Sequence, residues 1–491
     1  MVQIVHDVLL LIFTELQDYP ATLYSCALVN SSWCSVAVNI LWKFVLNDLS
    51  DYKQETREKI YNVIAHFLPD GPEDPLPINN ILLPSIKFPR RPTFEYIEYF
   101  NRISQCWIRD MVRLSIDEES TQKKYILEKE IYKLVFSRCI NVRNFSWYYT
   151  EKLYNYPNAK SFFSNLYTLE ISLEHNVVAS QILPELSNIC YNIINLEIHY
   201  CKEDSPNLVT FIDIQNNLQS LRLYFSDDDY EDDEYENNGS DEEENQFTLL
   251  NEVITKKAKK LKQVTLSPIM TLINPESISG LINIQALELN NENYDETCED
   301  IDWYKWEKCL GKASFPHLEY LETSFLPNNI ESLILEKSGG NVLEIDIRYP
   351  LEFQDYQTEN KQIIRAICNH CPKLRRLTLD IDPRNLDEFN GILSNCTQLE
   401  KLYLATKKFI IPNGDELLKI MVNGSPATLR EFLFDDNWNF SLEGLESFLI
   451  SWKCKDRFPI KFKHYFDKML ISWTDNHENI LEKYKRNGTI I

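Results

Sequence analysis

Glycine is scarce, with 11 in 491 residues. None of them sits in a G-x-x-x-x-G-K-[ST], G-x-G-x-x-G or G-x-S-x-G arrangement, so the glycine-dependent phosphate loops and the nucleophile elbow are missing. Positive charge is also short: 50 Lys and Arg face 74 Asp and Glu, a formal net charge of -24. DNA and anionic membrane both need clustered cations, which excludes them as main partners. Long hydrophobic runs are absent near the N-terminus. Its VLLLIF stretch is six residues long, fenced by Asp7 and Glu15 and preceded by no basic segment, too short for a secretory or membrane-spanning run. The expectation is an intracellular chain, cytoplasmic or nuclear, whose twelve cysteines stay reduced. Paired metal motifs are lacking too. Cys368-Asn-His-Cys371 is a CxxC around His370, but no second CxxC or spaced His pair completes four ligands. No metal, no cofactor and no enzymatic activity are expected.

What is present begins with a short apolar segment. In residues 4 to 16, IVHDVLLLIFTEL, Leu9, Ile12, Phe13 and Leu16 follow the i, i+3, i+4, i+7 spacing of one helix face. Asp18 and Pro20 end it. A second helix is expected over Thr22 to Val29. A third should be capped by Ser31 or Ser32 and striped by Trp33, Val36, Ile40 and Leu41. Residues 51–67 read as a further helix. From Pro69 to Pro92 lie seven of the 21 prolines, a density that argues for an extended linker. Helix should resume at Phe94. Residues 1–46 are therefore taken as one small helical unit and 47–135 as a helical and proline-rich linker.

Beyond residue 136 one phrase recurs, apolar-x-x-apolar-x-apolar. It appears as Val142/Phe145/Trp147, Leu166/Leu169/Ile171, Ile193/Leu196/Ile198, Leu218/Leu221/Leu223, Leu261/Val264/Leu266 and Ile284/Leu287/Leu289. It continues as Leu318/Leu321/Thr323, Val342/Ile345/Ile347, Leu374/Leu377/Leu379, Leu399/Leu402/Leu404 and Leu429/Phe432/Phe434. Most spacings are near those of leucine-rich repeats. Cys139, Cys190, Cys371 and Cys396 each stand three residues before a phrase, where a small buried residue belongs. The predicted fold is α/β: three helices, then a leucine-rich-repeat solenoid of about eleven irregular, cysteine-containing repeats over 136–450, with a cap or tail at 451–491. The widest gap holds DDDYEDDEYENNGSDEEE, twelve carboxylates without a cation, so 227–246 is expected to be a disordered acidic insertion. Lys256, Lys257, Lys259 and Lys260 read as a solvated helix face.

A unit of some 40 residues rarely buries its own apolar surface alone. Its residues resemble the F-box: Asp7, Leu9, Ile12-Phe13, Leu16, Cys26, Val29, Trp33 and Leu41-Trp42 match, while Ile4-Val5 replaces the usual Leu-Pro and Ser31 the usual basic residue. With the repeats behind it, the chain resembles F-box/leucine-rich-repeat proteins of the expanded fungal type. The resemblance implies a substrate-recognition subunit of an SCF-type ubiquitin ligase, which delivers proteins for proteasomal degradation. Its F-box would bind the Skp adaptor, and through it a cullin-RING ligase, with Ile4, Leu9, Ile12, Phe13, Leu16, Leu23, Val29, Trp33, Ile40, Leu41 and Trp42 as contacts. The competing reading for those helices is a solenoid cap. For the chain as a whole it is an acidic repeat scaffold or chaperone for basic proteins, independent of ligases.

In such a repeat the residue between the second and third apolar positions points to the open strand face. The expected substrate-binding residues are Glu170, Glu197, Arg222, Glu288, Glu322, Asp346, Thr378 and Tyr403, with Leu433 beyond them. Carboxylates dominate, so a basic protein segment is the expected substrate, lying along Glu170 to Asp346, with an apolar residue at the Tyr403 and Leu433 end.

Overall fold

The computed structural model describes residues 6–43, 45–46, 52–69, 71–81, 92–116, 120–148, 151–174, 176–201, 205–225, 248–267, 274–291, 302–348, 356–406, 413–435, 438–455, 457–464 and 473–491. Ile4 and the acidic run 227–246 lie outside the described residues. The chain divides into two compact units, residues 1–201 with 205–218, and residues 202–204 with 219–491.

The first unit opens with α1 (His6–Thr14), α2 (Pro20–Ala27) and α3 (Ser31–Lys43). Pro20 lies in the first turn of α2, where its missing N–H has no intrahelical partner to lose, so that helix starts two residues ahead of Thr22. The cap of α3 is Asn30 rather than Ser31 or Ser32. Its Oδ1 accepts from the Trp33 N–H at 2.9 Å, and both serines are already helical. Leu9, Phe13, Leu23, Val36, Ala37 and Ile40 form the interior, and Leu16, Trp33 and Leu41 pack against it.

Next come α4 (Gln54–Ala65) and, inside the proline-rich stretch, a one-turn helix Pro75–Ile78. Proline opens that turn, the one helical place where its ring is tolerated. The segment from Phe94 is not the expected helix. It makes a 3-10 turn, Tyr96–Tyr99, and then strand β1 (Arg102–Ser104). Tyr96 and Phe100 pack on Trp42, with ring centroids 4.4 and 6.1 Å away, and the Asn101 carbonyl accepts from the Arg143 and Asn144 N–H groups. Tertiary contacts draw this stretch into the sheet.

In the first unit β1 pairs with β2 (Asn144–Trp147), β2 with β3 (Thr168–Ser172) and β3 with β4 (Asn195–Cys201), all parallel. The second unit contributes β5 (Ser220–Phe225), β6 (Gln263–Ser267), β7 (Ala286–Asn290), β8 (Tyr320–Ser324) and β9 (Glu344–Arg348). It continues with β10 (Arg376–Asp380), β11 (Lys401–Ala405), β12 (Glu431–Phe434) and β13 (Lys461–His464). Each of these pairs in parallel with the next. The strands thus start before residue 136, at β1, and continue past residue 450, at β13.

Every one of the eleven phrases carries a strand, β2 to β12, with its second and third positions two residues apart on one face. Those positions are buried throughout; Leu169, Ile171, Leu287 and Leu289 are typical. Thr323, the one polar member, is fully buried and donates to Glu331 at 2.6 Å.

In two places the position three residues before a phrase does more than fill space. Cys396 Sγ contacts the Cys371 carbonyl at 3.3 Å, and Gln215 Nε2 donates to the Cys190 carbonyl at 2.8 Å. Gln215 stands three residues before Leu218, the same register position as the cysteines, and its Oε1 also accepts from the Ile193 N–H at 3.0 Å. In both pairs this position hydrogen-bonds to the carbonyl of its counterpart one repeat earlier, where the strand entry would otherwise leave a buried polar group.

Candidate functional sites

Helix α1 is apolar all round, HDVLLLIFT with two polar residues at its start. Leu9 and Phe13, at i and i+4, face the interior and are 1% exposed. Val8, Leu11 and Ile12 form the neighbouring stripe and are exposed, Leu11 at 70% and Ile12 at 46%. At the end of α2, Leu28 and Val29 are 72% and 58% exposed. Among the described residues nothing covers these five apolar side chains to the degree usual for their type.

The sequence-predicted contacts therefore separate. Leu9, Phe13, Leu23 and Ile40 lie in the interior of the unit. Leu16, Trp33 and Leu41 are partly buried against that interior, and Trp33 meets Phe13 edge-on at 5.2 Å. Trp42 is spent on Tyr96 and Phe100. Among the described residues only Ile12 and Val29 are both predicted and exposed. Leu11 and Leu28 are outside the sequence-predicted set, because the i, i+3, i+4, i+7 spacing picks out Leu9, Ile12, Phe13 and Leu16, of which folding takes Leu9 and Phe13 for the core.

On the strand face of the first unit, Glu170 of β3 and Glu197 of β4 are neighbours in register. His199 follows Glu197 by two residues, hence on the same face, and its Nε2 lies 3.1 Å from Glu197 Oε1 and 3.4 Å from Glu170 Oε1. Glu170 also accepts from Ser146 Oγ at 2.7 Å and from the Tyr148 hydroxyl, and Arg102 approaches at 3.4 Å. Burial pushes the Glu170 carboxyl up, but hydrogen bonds from His199, Tyr148 and Ser146 outweigh it and bring its pKa to about 2. Hydrogen bonds to Glu170 and then Glu197 raise His199 to about 9 against the opposing effect of burial. The repulsion between these neighbouring carboxylates is answered inside the chain, by His199. That residue was absent from the sequence-predicted set, although the spacing Glu197-x-His199 on a strand was a usable signal.

In the second unit Thr265, Glu288, Glu322, Asp346, Thr378, Tyr403 and Leu433 stand in one register row across β6 to β12. Glu288 accepts from Thr265 at 2.7 Å and Gln263 at 3.2 Å, and Glu322 from the Tyr320 hydroxyl. Asp346 is held by Arg348 of its own strand, at 2.9 and 3.0 Å. Burial first, and the Glu322 hydrogen bond second, push the Tyr320 phenol up. Strands lie about 4.8 Å apart, so Glu288 and Glu322 are side by side with neutral donors as their hydrogen-bond partners. Arg222, the one predicted cation of the row, stands on β5 at the position paired with Thr265.

Cys368 accepts from Asn395 Nδ2 at 3.0 Å, and Cys371 is fully buried. Among the described residues neither belongs to a group of three metal-capable side chains; Glu170, Glu197 and His199 do form one.

Residues 6–48 match the F-box-like family. Proteins that join an F-box to leucine-rich repeats are adaptors rather than enzymes. No curated protein matches the chain in sequence. A solved structure described as the Rad7 and Elc1 complex in yeast aligns over 99% of this chain and 91% of its own, at 10% identity and a TM-score of 0.42.

Proposed function

We propose that the chain is a substrate receptor of an SCF-type ubiquitin ligase. Its F-box-like unit docks the Skp adaptor, and through it the cullin-RING ligase, while the strand face holds a protein substrate. The observation that carries this reading is the uncovered stripe Val8, Leu11, Ile12, Leu28 and Val29 on a unit whose interior is already complete. Buried aliphatic and aromatic anchors dominate interface energetics, and a patch of this kind exposed on a small domain is an interface half. Catalysis would be by proximity, the receptor raising the local concentration of substrate lysines near the ubiquitin donor.

The substrate class proposed is a basic segment. Glu288 and Glu322, adjacent and met by neutral hydrogen-bond donors, support it; a Lys or Arg seated between them would gain charge-assisted hydrogen bonds. Tyr403 and Leu433, further along the same row, offer apolar contact.

The test is co-purification of the intact chain with the Skp adaptor. Wild type should retain it, and Ile12→Ala with Val29→Ala should weaken it by about 2 kcal/mol or more, the range of interface hot spots. Both residues are exposed, so circular dichroism should stay unchanged. A wild-type chain that captures basic proteins but never the adaptor would replace this reading with the scaffold one.

A further inference from the structure

We propose that Glu170, Glu197 and His199 form a binding site for one divalent transition-metal ion, of the zinc class, on the strand face of the first unit. The three donors come from two neighbouring strands in register, a rigid frame that needs no loop rearrangement. A single atom, His199 Nε2, faces both carboxylates, at 3.4 and 3.1 Å. One N–H cannot point well at two acceptors at once, and 3.4 Å is beyond the usual N–H···O distance. A metal is not limited in this way. Zinc bonds of roughly 2.0–2.2 Å at tetrahedral angles set donor atoms about 3.3–3.6 Å apart; His199 Nε2 lies near that distance from both carboxylates, and all three donor atoms fall within 4.8 Å of one another.

The surroundings are those of a ligand set. Metal-bound carboxylates are ordinarily fixed by outer hydrogen bonds, and Glu170 is held by the Tyr148 hydroxyl on Oε1 and by Ser146 on Oε2. Two carboxylates with one neutral imidazole are a familiar donor set for zinc and manganese. The side chains remain 15%, 26% and 28% exposed, so water, or a donor from a bound protein, can complete the coordination.

The test uses the full-length chain, stripped by chelator, and titrated with cobalt(II) as a spectroscopic stand-in for zinc. The twelve cysteines are the obvious rival ligands, and cobalt reports on them separately through thiolate charge-transfer absorption. The expected result is one equivalent bound, giving d–d absorption without the thiolate bands, together with a higher melting temperature. Glu197→Gln, nearly isosteric, should abolish the d–d signal while leaving the circular dichroism unchanged; His199→Ala should do the same. Tyr148→Phe, which removes an outer hydrogen bond, should weaken binding roughly 10–100-fold. No uptake by the wild type, or uptake unchanged in Glu197→Gln, would overturn the proposal and leave a self-balanced ion triad.

Discussion

Ile12 and Phe13 are consecutive residues with opposite roles. Phe13 is 1% exposed and meets Trp33 edge-on, so Phe13→Ala should cost the three-helix unit about 3–5 kcal/mol, read by denaturant unfolding. Ile12→Ala should leave that stability nearly unchanged and act on adaptor capture alone. Asp110 is a second informative residue. It accepts from Arg57 at 2.6 Å, Arg113 at 2.7 Å and Tyr61 at 2.8 Å. Burial pushes its carboxyl up, but these partners win and hold it below the ordinary carboxylate range. A depressed carboxyl favours the fold at pH values above its unfolded pKa, and that contribution is lost as pH falls toward the folded one. Stability of the first unit should therefore decline on acidification, and Asp110→Asn should flatten that part of the pH profile. The cysteines follow burial in the same way. Burial pushes the Cys139, Cys190 and Cys371 thiols up and Cys396 to about 12, so they should resist alkylation in the native chain. Exposed Cys106 and Cys454 should react before these four, as peptide mapping would reveal.

At the scale of elements, the repeat works because each strand from β2 to β12 turns two residues to the interior, apolar in every case but Thr323, and the residues between and beside them to the open face. Its less visible feature is the position before the phrase. Gln215 is fully buried and satisfies the Ile193 N–H and the Cys190 carbonyl together. Gln215→Leu should leave both unpaired, and each such buried group costs about 1–3 kcal/mol. Thermal unfolding should show a clear destabilisation; a neutral outcome would mean that the ladder is incidental. The cap of α3 makes a smaller claim of the same kind, with Asn30→Ala expected to cost about 0.5–2 kcal/mol.

For the whole molecule, the proposed adaptor docking and the proposed substrate capture would rest on separate sets of residues, so they should be separable by mutation. Glu288→Lys with Glu322→Lys should abolish capture of a basic substrate while adaptor co-purification persists. Both residues are partly exposed on the strand face, so the reversal leaves the apolar interior untouched. Capture should also weaken as salt rises, because exposed charge pairs are screened. Insensitivity to both the reversal and salt would refute a charge-based grip. No described helix is long and apolar enough to cross a membrane.

The sequence by itself determined the repeat. All eleven phrases fall on strands, and the four register cysteines are buried beside them, because side-chain alternation along a strand is a local property that apolar spacing records directly. It also marked the N-terminal unit as apolar beyond its own needs. Which apolar side chains stay outside was decided only by tertiary structure. Leu9 and Leu11 have the same chemistry, and they part because α2 and α3 cover one face of α1 and not the other. The helix expected from Phe94 became a turn and a strand for the same kind of reason, since Trp42 and β2 compete for its residues. Likewise Glu170 and Glu197 were readable one at a time, but their meeting at His199 depends on strand register, which fixes which residues of distant segments become neighbours.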